Sequence, residues 1–431
     1  MTARTPDSTS GKTPLARHAV RGNRHPVLRV LSIVGVVLAV FAVSAAGVAA
    51  YAVWDAFSAV GENSVDLAGE ELPPSIGEIE GGVNLLLVGS DSCDGQDVAL
   101  FPRCADPDDA PGERNDVTML VHISDQPRRI TVVSFPRDML VPIPACPDGE
   151  GGSYSAMSSQ PLNASYQYGG LACTVMTIEE LTGEQIQFAG AIRWTGVIDM
   201  SDAIGGVDVC VDGDISDPNT GLSLTAGTHT LQGVEALQFL RIRHGIGDGS
   251  DLGRISNQQQ FMSSLVRKLK SDAVLSNPAV LLNFATTAVG LTRSDPPQLV
   301  LSSELANPTR MVQIAMAAKD VPYEDIVFVQ YPTEYTSDFI NVLPLREPAD
   351  QLFAALRANQ PLTLTGDASQ GSGVDVTGEA TDPGSGASES ATPAPSDSAA
   401  ASESAETRID LPSEISGTTA AQVTCTRAGE Q

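Results

Sequence analysis

Three aspartates and five arginines fall where side chains can gather without filling a core, at the ends of apolar runs. Asp91 follows "VNLLLVG" (83–89). Arg114 and Asp116 lie in "ERND", just before "VTMLVHI" (117–123), and Arg137 and Asp138 lie in "FPRD", just after "RITVVSF" (129–135). Further on, "LRIRHGIGDGSDLGRISNQQQ" (240–260) carries Arg241, Arg243, Arg254 and Gln258 among glycines, with no lysine. Carboxylates are hard oxygen ligands, and Mg2+ commonly takes one or two of them together with substrate phosphates. Arginine supplies a planar fork that grips phosphate through two parallel N–H bonds. Acids and arginines at one end of a sheet therefore suit a metal and a phosphate.

The runs that must position these groups read as strands and helices in alternation. Residues 83–89 form a short continuous apolar run ending in "SDS", the pattern of a buried strand reaching a loop. The two β-rich runs at 117–123 and 129–135 are joined by "SDQPR" and predict a hairpin. In an antiparallel hairpin the start of the first strand and the end of the second lie together, so Arg114, Asp116 and Arg137 converge. "CTVMTIEELTG" (173–183) spaces Val175, Ile178 and Leu181 as a helix does, with Gly183 as its stop. "VEALQFL" and "RISNQQQFMSSLVRKL" predict two more helices. The second starts at Ser250 or Asp251 and turns Ile255, Phe261, Met262, Leu265, Val266 and Leu269 to the core. This alternation implies a layered α/β domain. Arg241 and Arg243, two apart, share a face if extended. Arg254 and Gln258, four apart, share a helix face, near a helix start whose free N–H groups favour an anion.

Composition bounds the setting. The 431 residues carry 53 Asp plus Glu against 25 Lys plus Arg, a net charge of −28. Residues 1–29 hold Arg4, Lys12, Arg17, Arg21, Arg24 and Arg29 against Asp7, a basic tail of +5. Residues 30–54 carry no charge and exceed the about 20 apolar residues that span a bilayer. Their length also exceeds the about 7–15 residues of a signal-peptide core, which favours a retained anchor over a cleaved signal. Cations before the span place the N-terminus in the cytoplasm and all from Asp55 outside, a single-pass protein of the cell membrane. Removing +5 from −28 leaves −33 for the rest of the chain, a charge that disfavours nucleic acid. Residues 55–79 read as a juxtamembrane linker and 80–364 as one domain. Residues 365–431, rich in Ser, Ala, Pro and Gly, read as a disordered acidic tail. Six cysteines suit an oxidising compartment. Cys93 with Cys104 and Cys146 with Cys173 are the expected pairs, with Cys210 and Cys425 unassigned. No Cys-x-x-Cys marks a zinc site, and His122, inside an apolar strand, reads as structural. A Gly-x-Ser-x-Gly elbow, a P-loop and a Rossmann fingerprint are all missing.

The ordered motifs resemble those of the LytR-CpsA-Psr family of bacterial cell-wall glycopolymer ligases. They run "NLLLVGSDS", "ERNDVTMLVHI", "VVSFPRDMLVPIP", "LNASYQYGG", "TIEELTG", "GVIDMSDAIGGVDV", "LTAGTHTLQGVEALQFLRIRH" and "GDGSDLGRISNQQQF". The resemblance implies a layered α-β-α domain whose central mixed sheet encloses an apolar pocket for a polyprenyl chain. It implies transfer of a glycopolymer from a polyprenyl-diphosphate carrier to a peptidoglycan hydroxyl. It also implies that Asp91 and Asp116 hold Mg2+ and that Arg114, Arg137, Arg241, Arg243, Arg254 and Gln258 clamp the diphosphate. Asp91, Asp116 and Arg137 are then the catalytic set, and Asp138 orients Arg137. The sequence departs from the family at Cys93, where an arginine is usual. Hydrolysis of the same lipid, or its binding without turnover by an envelope regulator, are the competing readings.

Overall fold

Strand β1 (Val83–Ser90) alternates its side chains, sending Leu86 and Val88 to one core and Val83, Leu85 and Leu87 to another. Strand β2 (Asn115–Ile123) does the same, with Leu120 opposite Met119, Val121 and Ile123. A sheet apolar on both faces needs helices on both sides, and the computed structural model has them. It describes residues 64–67, 82–106, 113–149, 151–271, 274, 277–382 and 408–429. The chain divides into Met1–Asp55 and Ala56–Gln431. The basic tail and the 30–54 span lie outside the described residues. Among those described, no helix is long and apolar enough to cross a membrane.

After β1 and β2 come β3 (Ile130–Phe135), α1 (Ala164–Thr182), β4 (Phe188–Ile192), α2 (Trp194–Ala203), β5 (Val207–Asp212), β6 (Gly227–Leu231) and α3 (Gly233–Arg241). There follow α4 (Asp251–Lys270), α5 (Pro278–Arg293), β7 (Leu299–Leu301), α6 (Pro308–Lys319), β8 (Ile326–Gln330) and α7 (Arg346–Arg357). The chain ends with β9 (Val374–Glu379), β10 (Gly417–Thr419) and β11 (Gln422–Arg427). The central sheet runs β7-β4-β1-β2-β3-β8-β10 and is mixed: β1 pairs antiparallel with β2 and parallel with β4. The expected hairpin is present, with Thr118 opposite Phe135 and Ile123 opposite Ile130. Leu171, Val175 and Ile178 of α1 and Leu352 and Phe353 of α7 cover one face. Met262 and Val266 of α4, Val289 of α5, and Met311 and Ile314 of α6 pack on the other. A smaller sheet, β6-β5-β11-β9, packs against α4.

Three expectations change. The helix expected from residue 173 begins at Ala164 and is broken at Gly169 and Gly170; it stops as expected at Gly183, in the left-handed conformation with φ 73°. Residues 365–431 are not a disordered tail where they are described: β10 completes the central sheet, and β11 lies between β5 and β9, joined to β5 by the Cys210–Cys425 disulfide. Within the expected linker, Val65 bonds with Leu301 and Ser303 at 2.9 and 3.0 Å. The other two disulfides are the expected Cys93–Cys104 and Cys146–Cys173.

Helix α4 departs from amphipathic patterning. Arg254, Ser256, Asn257, Gln258, Gln259 and Gln260 are all buried. Buried polar groups persist when each finds a partner. Here Asn257 donates to the Phe239 carbonyl at 2.7 Å, and Gln259 to Ser134 Oγ at 3.2 Å. Gln260 donates to the carbonyls of Cys210 and Thr424 at 2.7 and 2.8 Å. The amides thus tie the helix to both sheets and to α3.

His122 is structural, as read. Asn84 Nδ2 donates to the Gln185 carbonyl, which leaves Asn84 Oδ1 to accept from His122 Nδ1 at 2.8 Å. Burial pushes the imidazole down to about 4, with the Leu356 carbonyl acting weakly the other way. The unfolded chain takes up this proton near pH 6.5 and the folded chain only near 4. Stability is therefore full above pH 6.5 and falls by about 3 kcal/mol as pH drops through that window. Urea titrations at pH 7, 5.5 and 4 should show this loss in wild type and a smaller one in His122→Gln. Equal slopes would remove His122 as its source.

Candidate functional site

The end of β1, the start of β2 and the end of β3 meet at one edge of the sheet, and the acids and arginines gather there. Asp91 lies one residue past β1; its backbone N–H donates to the Arg114 carbonyl at 3.0 Å, and its Oδ1 accepts from the Arg114 N–H at 2.9 Å. Asp116, on β2, accepts at Oδ1 from Arg137 Nη1 at 2.6 Å. Arg137 Nε also lies 3.4 Å from Asp251 and 3.5 Å from Asp138. The latter contact fits an orienting role for Asp138. Arg254, only 3% exposed, reaches from the first turn of α4 to the Asp116 carbonyl at 3.1 Å and to Asp251 at 2.7 Å. Ser250 caps that turn, its side chain accepting from the Gly253 N–H at 3.1 Å.

Arg241 and Arg243 do not share an extended edge. Arg241 ends α3, and buried Ile242 separates it from Arg243. Arg241 lies 4.0 Å over the Trp194 ring, which packs in turn on Phe101 at 4.6 Å. Phe101 belongs to the insert closed by Cys93–Cys104, so the insert beside Asp91 backs the plate on which Arg241 rests. Gln258 is 3% exposed, and its amide donates to the Leu240 carbonyl at 2.9 Å, next to Arg241. The glycine loop between α3 and α4 is pinned by the C-terminal part of the chain. Gly247 N–H donates to the Arg427 carbonyl and Asp248 N–H to the Gly371 carbonyl, each at 3.0 Å. A Cβ at Gly247 would meet the Gly371 carbonyl oxygen at 2.4 Å, and its φ of +46° also favours glycine.

Electrostatics keep this cluster charged. Burial opposes ionisation of Asp116, but Arg254, Arg137 and Arg241 together hold its carboxyl below the ordinary value. Burial likewise opposes the Arg137 charge and is outweighed by Asp116, Asp251 and Asp138, which raise its pKa. Arg254 is pushed down, first by burial, with Arg137 and Arg243 adding like charge against Asp251 and Asp116. The Nε atoms of Arg243 and Arg254 are buried without a hydrogen-bond partner. Such donors are costly unless an acceptor arrives, and an anion with several oxygens would supply one. For a metal, the described residues contain no group of three or more His, Cys, Asp or Glu side chains able to hold an ion. Asp91 and Asp116, on adjoining strand ends, fit Mg2+, which needs few protein ligands when phosphate completes its shell.

Sequence reasoning missed four contributors. Asp251 was visible only as a helix start, yet it contacts both Arg137 and Arg254. Glu113 and Arg193 form a two-point ion pair at 2.8 and 3.0 Å, with Ser90 Oγ donating to Glu113 at 2.6 Å. Trp194 gave no signal beyond lying next to an arginine.

The sequence profile described as the LytR_cpsA_psr family matches residues 54–348. The chain belongs to that family. Among its relatives, Cell wall biosynthesis protein LcpA of Corynebacterium glutamicum is 31% identical over 229 residues, covering 48% of this chain and 43% of the relative. A Bacillus subtilis protein named polyisoprenyl-teichoic acid–peptidoglycan teichoic acid transferase TagT is 30% identical over 164 residues, 37% of this chain and 47% of the relative. The chain thus spans about half the length of the curated relatives it matches. A solved structure titled LytR-Csp2A-Psr enzyme from Actinomyces oris aligns over 68% of this chain and 94% of its own, at 23% identity and a TM-score of 0.49. Family membership accounts for the ordered motifs from "NLLLVGSDS" to "GDGSDLGRISNQQQF", which all fall inside the matched segment.

Proposed function

We propose that this family member is a membrane-anchored phosphotransferase that moves a glycopolymer from a polyprenyl-diphosphate carrier to a peptidoglycan hydroxyl. The observation that carries the reading is the arginine cluster, with two buried N–H donors that lack a hydrogen-bond partner, beside an incompletely covered apolar sheet face. Leu85, Leu87, Val117 and Val121 lie on the two central strands, yet they are only partly buried beneath α4, α5 and α6. Central strands normally lose all access to solvent under helices. A long hydrocarbon chain lying there would complete the core, and its diphosphate would then meet the arginines. The names of the relatives, which include a teichoic acid transferase acting on polyisoprenyl-linked polymer, agree with this substrate class. With the basic 1–29 segment inside the cell and 30–54 as anchor, the domain would face the wall.

In the reaction, the acceptor oxygen forms a bond to the glycan-proximal phosphorus and the bridging P–O bond breaks. Polyprenyl phosphate leaves, and the hydroxyl proton passes to a base, for which Asp91 and Asp116 are the candidates. Arg114, Arg137, Arg241, Arg243 and Arg254 hold the phosphates and offset charge that grows on the leaving oxygen. Gln258 anchors the Leu240–Arg241 backbone of that clamp. Mg2+, held by Asp91 and Asp116, would supply Lewis-acid neutralisation of the phosphate oxygens.

Incubating the full-length chain in detergent with Mg2+, a polyprenyl-diphosphate glycan and peptidoglycan tests the reading. Glycan joined to peptidoglycan is the expected product. Free phosphorylated glycan would assign hydrolysis instead, and retained lipid without turnover would assign a binder. Trp194→Leu removes the plate under Arg241 and should weaken binding of the diphosphate lipid about fivefold, as loss of roughly 1 kcal/mol of cation–π contact requires. Trp194→Phe should lose less; equal affinities in all three proteins would dissociate Trp194 from the clamp.

A further inference from the structure

A cavity of about 530 Å3 adjoins the arginine cluster and has no part in the chemistry above. Glu113, Tyr166, Gln167, Leu171 and Ala172 are among the residues that line it, with Asp66 and Val300 also in its wall. That volume lies within the roughly 300–1,000 Å3 of small-ligand sites. Gln167 connects the cavity to the site, since its Oε1 accepts from Arg114 Nε at 3.2 Å. Glu113 precedes Arg114, and its carboxylate is held in place by Arg193 and Ser90.

Two features keep the space open. Helix α1 breaks at Gly169 and Gly170; Gly170 has φ +61°, and a Cβ there would meet nothing within 4 Å. Opposite chain segments 64–67 and 301–303 are hydrogen-bonded together, which fixes Asp66 in the wall. The chemistry of the lining is selective. It offers two carboxylates, a phenol and a carboxamide beside apolar Leu171, Ala172 and Val300, and among the described residues that line it there is no lysine or arginine. Arg193 neutralises Glu113, so Asp66 leaves the lining with a net negative charge and no cation to attract an anion. A neutral ring with several hydroxyls and one apolar face would satisfy both its polar and its apolar parts.

We propose that this cavity receives a sugar ring of an uncharged N-acetylhexosamine strand, the acceptor, with its hydroxyl directed toward Asp91 and Arg114. The assignment to the acceptor rests on the phosphotransfer reading; the binding of a neutral sugar does not. Glu113 accepts from the ring hydroxyls and Gln167 donates to them through its Nε2, and Tyr166 adds a phenolic hydroxyl at the wall.

Titration of the full-length chain in detergent with chitotetraose, followed by calorimetry, tests it. Wild type should bind, and Ala172→Phe, which fills the cavity, should bind at least tenfold more weakly with unchanged affinity for the polyprenyl-diphosphate lipid. Tyr166→Phe keeps the packing of the ring and should weaken binding several-fold, so a misfolded Ala172→Phe protein cannot decide the matter alone. In the transfer assay Ala172→Phe should raise the acceptor KM at least tenfold and leave the donor KM unchanged. Absence of chitotetraose binding to wild type, or equal binding by both variants, overturns the proposal. A raised donor KM with an unchanged acceptor KM gives the cavity to the donor sugar and overturns the acceptor assignment. Chitotetraose binding that both variants weaken, without any transfer in wild type, keeps the sugar site and removes the phosphotransfer reading.

Discussion

Asp116→Ala is expected to abolish glycan transfer, lowering kcat by about 10^3-fold or more. Asp116 Oδ1 takes the shortest of the contacts made by Arg137, and its carbonyl takes one from Arg254. Its carboxyl, although burial opposes the charge, is held ionised by three arginines. Removal takes away a candidate Mg2+ ligand and releases the arginine that should hold the phosphate. Loss of one preorganised electrostatic group from a site costs about 10^2–10^3, and here two functions go together. Breaking a buried ion pair also costs roughly 3–5 kcal/mol of stability, but Asp251 and Asp138 remain within 3.5 Å of Arg137 and soften that loss. Asp116→Asn keeps the shape and should fold as wild type does, yet show the same loss of turnover and a weaker response of lipid binding to Mg2+. Radiolabelled transfer and thermal melting separate the two effects. Full activity in Asp116→Asn would falsify the role given to this carboxylate.

The second large effect concerns stability. Replacing Cys210 and Cys425 by serine should cost about 5 kcal/mol, because the disulfide closes a loop of 215 residues and the chain-entropy cost of the open loop grows with its length. The 11-residue loop of Cys93–Cys104 gives only about 3 kcal/mol by the same relation. For a domain of this size the larger loss corresponds to a fall in Tm of roughly 10 °C. The consequence reaches the site. Strand β11 carries Thr426, whose hydroxyl lies against the side-chain oxygens of Asn257 and Gln260 of α4, and Arg427, whose carbonyl pins Gly247. Lipid binding should therefore weaken as well, below the melting transition. Differential scanning calorimetry of both double-serine variants decides the order; a larger fall for the Cys93–Cys104 pair would overturn the loop-length argument.

Much of the sheet was legible because local patterning encodes it. The continuous apolar run 83–89 is a strand, and the two runs around "SDQPR" pair as a hairpin in the register their alternation requires. The convergence of Arg114, Asp116 and Arg137 followed from that hairpin. Gly183 ended a helix where expected, for the conformational reason that places glycine there. Helix α4 was less readable: its core includes four consecutive amides, 257–260, which polarity would place in solvent. Their burial depends on acceptors contributed by Ser134, Cys210, Phe239, Leu240 and Thr424, and no local window contains them.

By itself, then, the sequence determined the first three strands and their hairpin through periodicity, and the ordered motifs carried the family; the Cys93–Cys104 and Cys146–Cys173 pairs were expected because each brackets a loop. Only the tertiary structure decided that Arg241 rests on Trp194, that Asp251 joins the arginine cluster, and that the last strands close both sheets. Those contacts join residues tens to hundreds of positions apart. Their strength comes from burial, charge and hydrogen bonding between surfaces that exist only after the chain has folded.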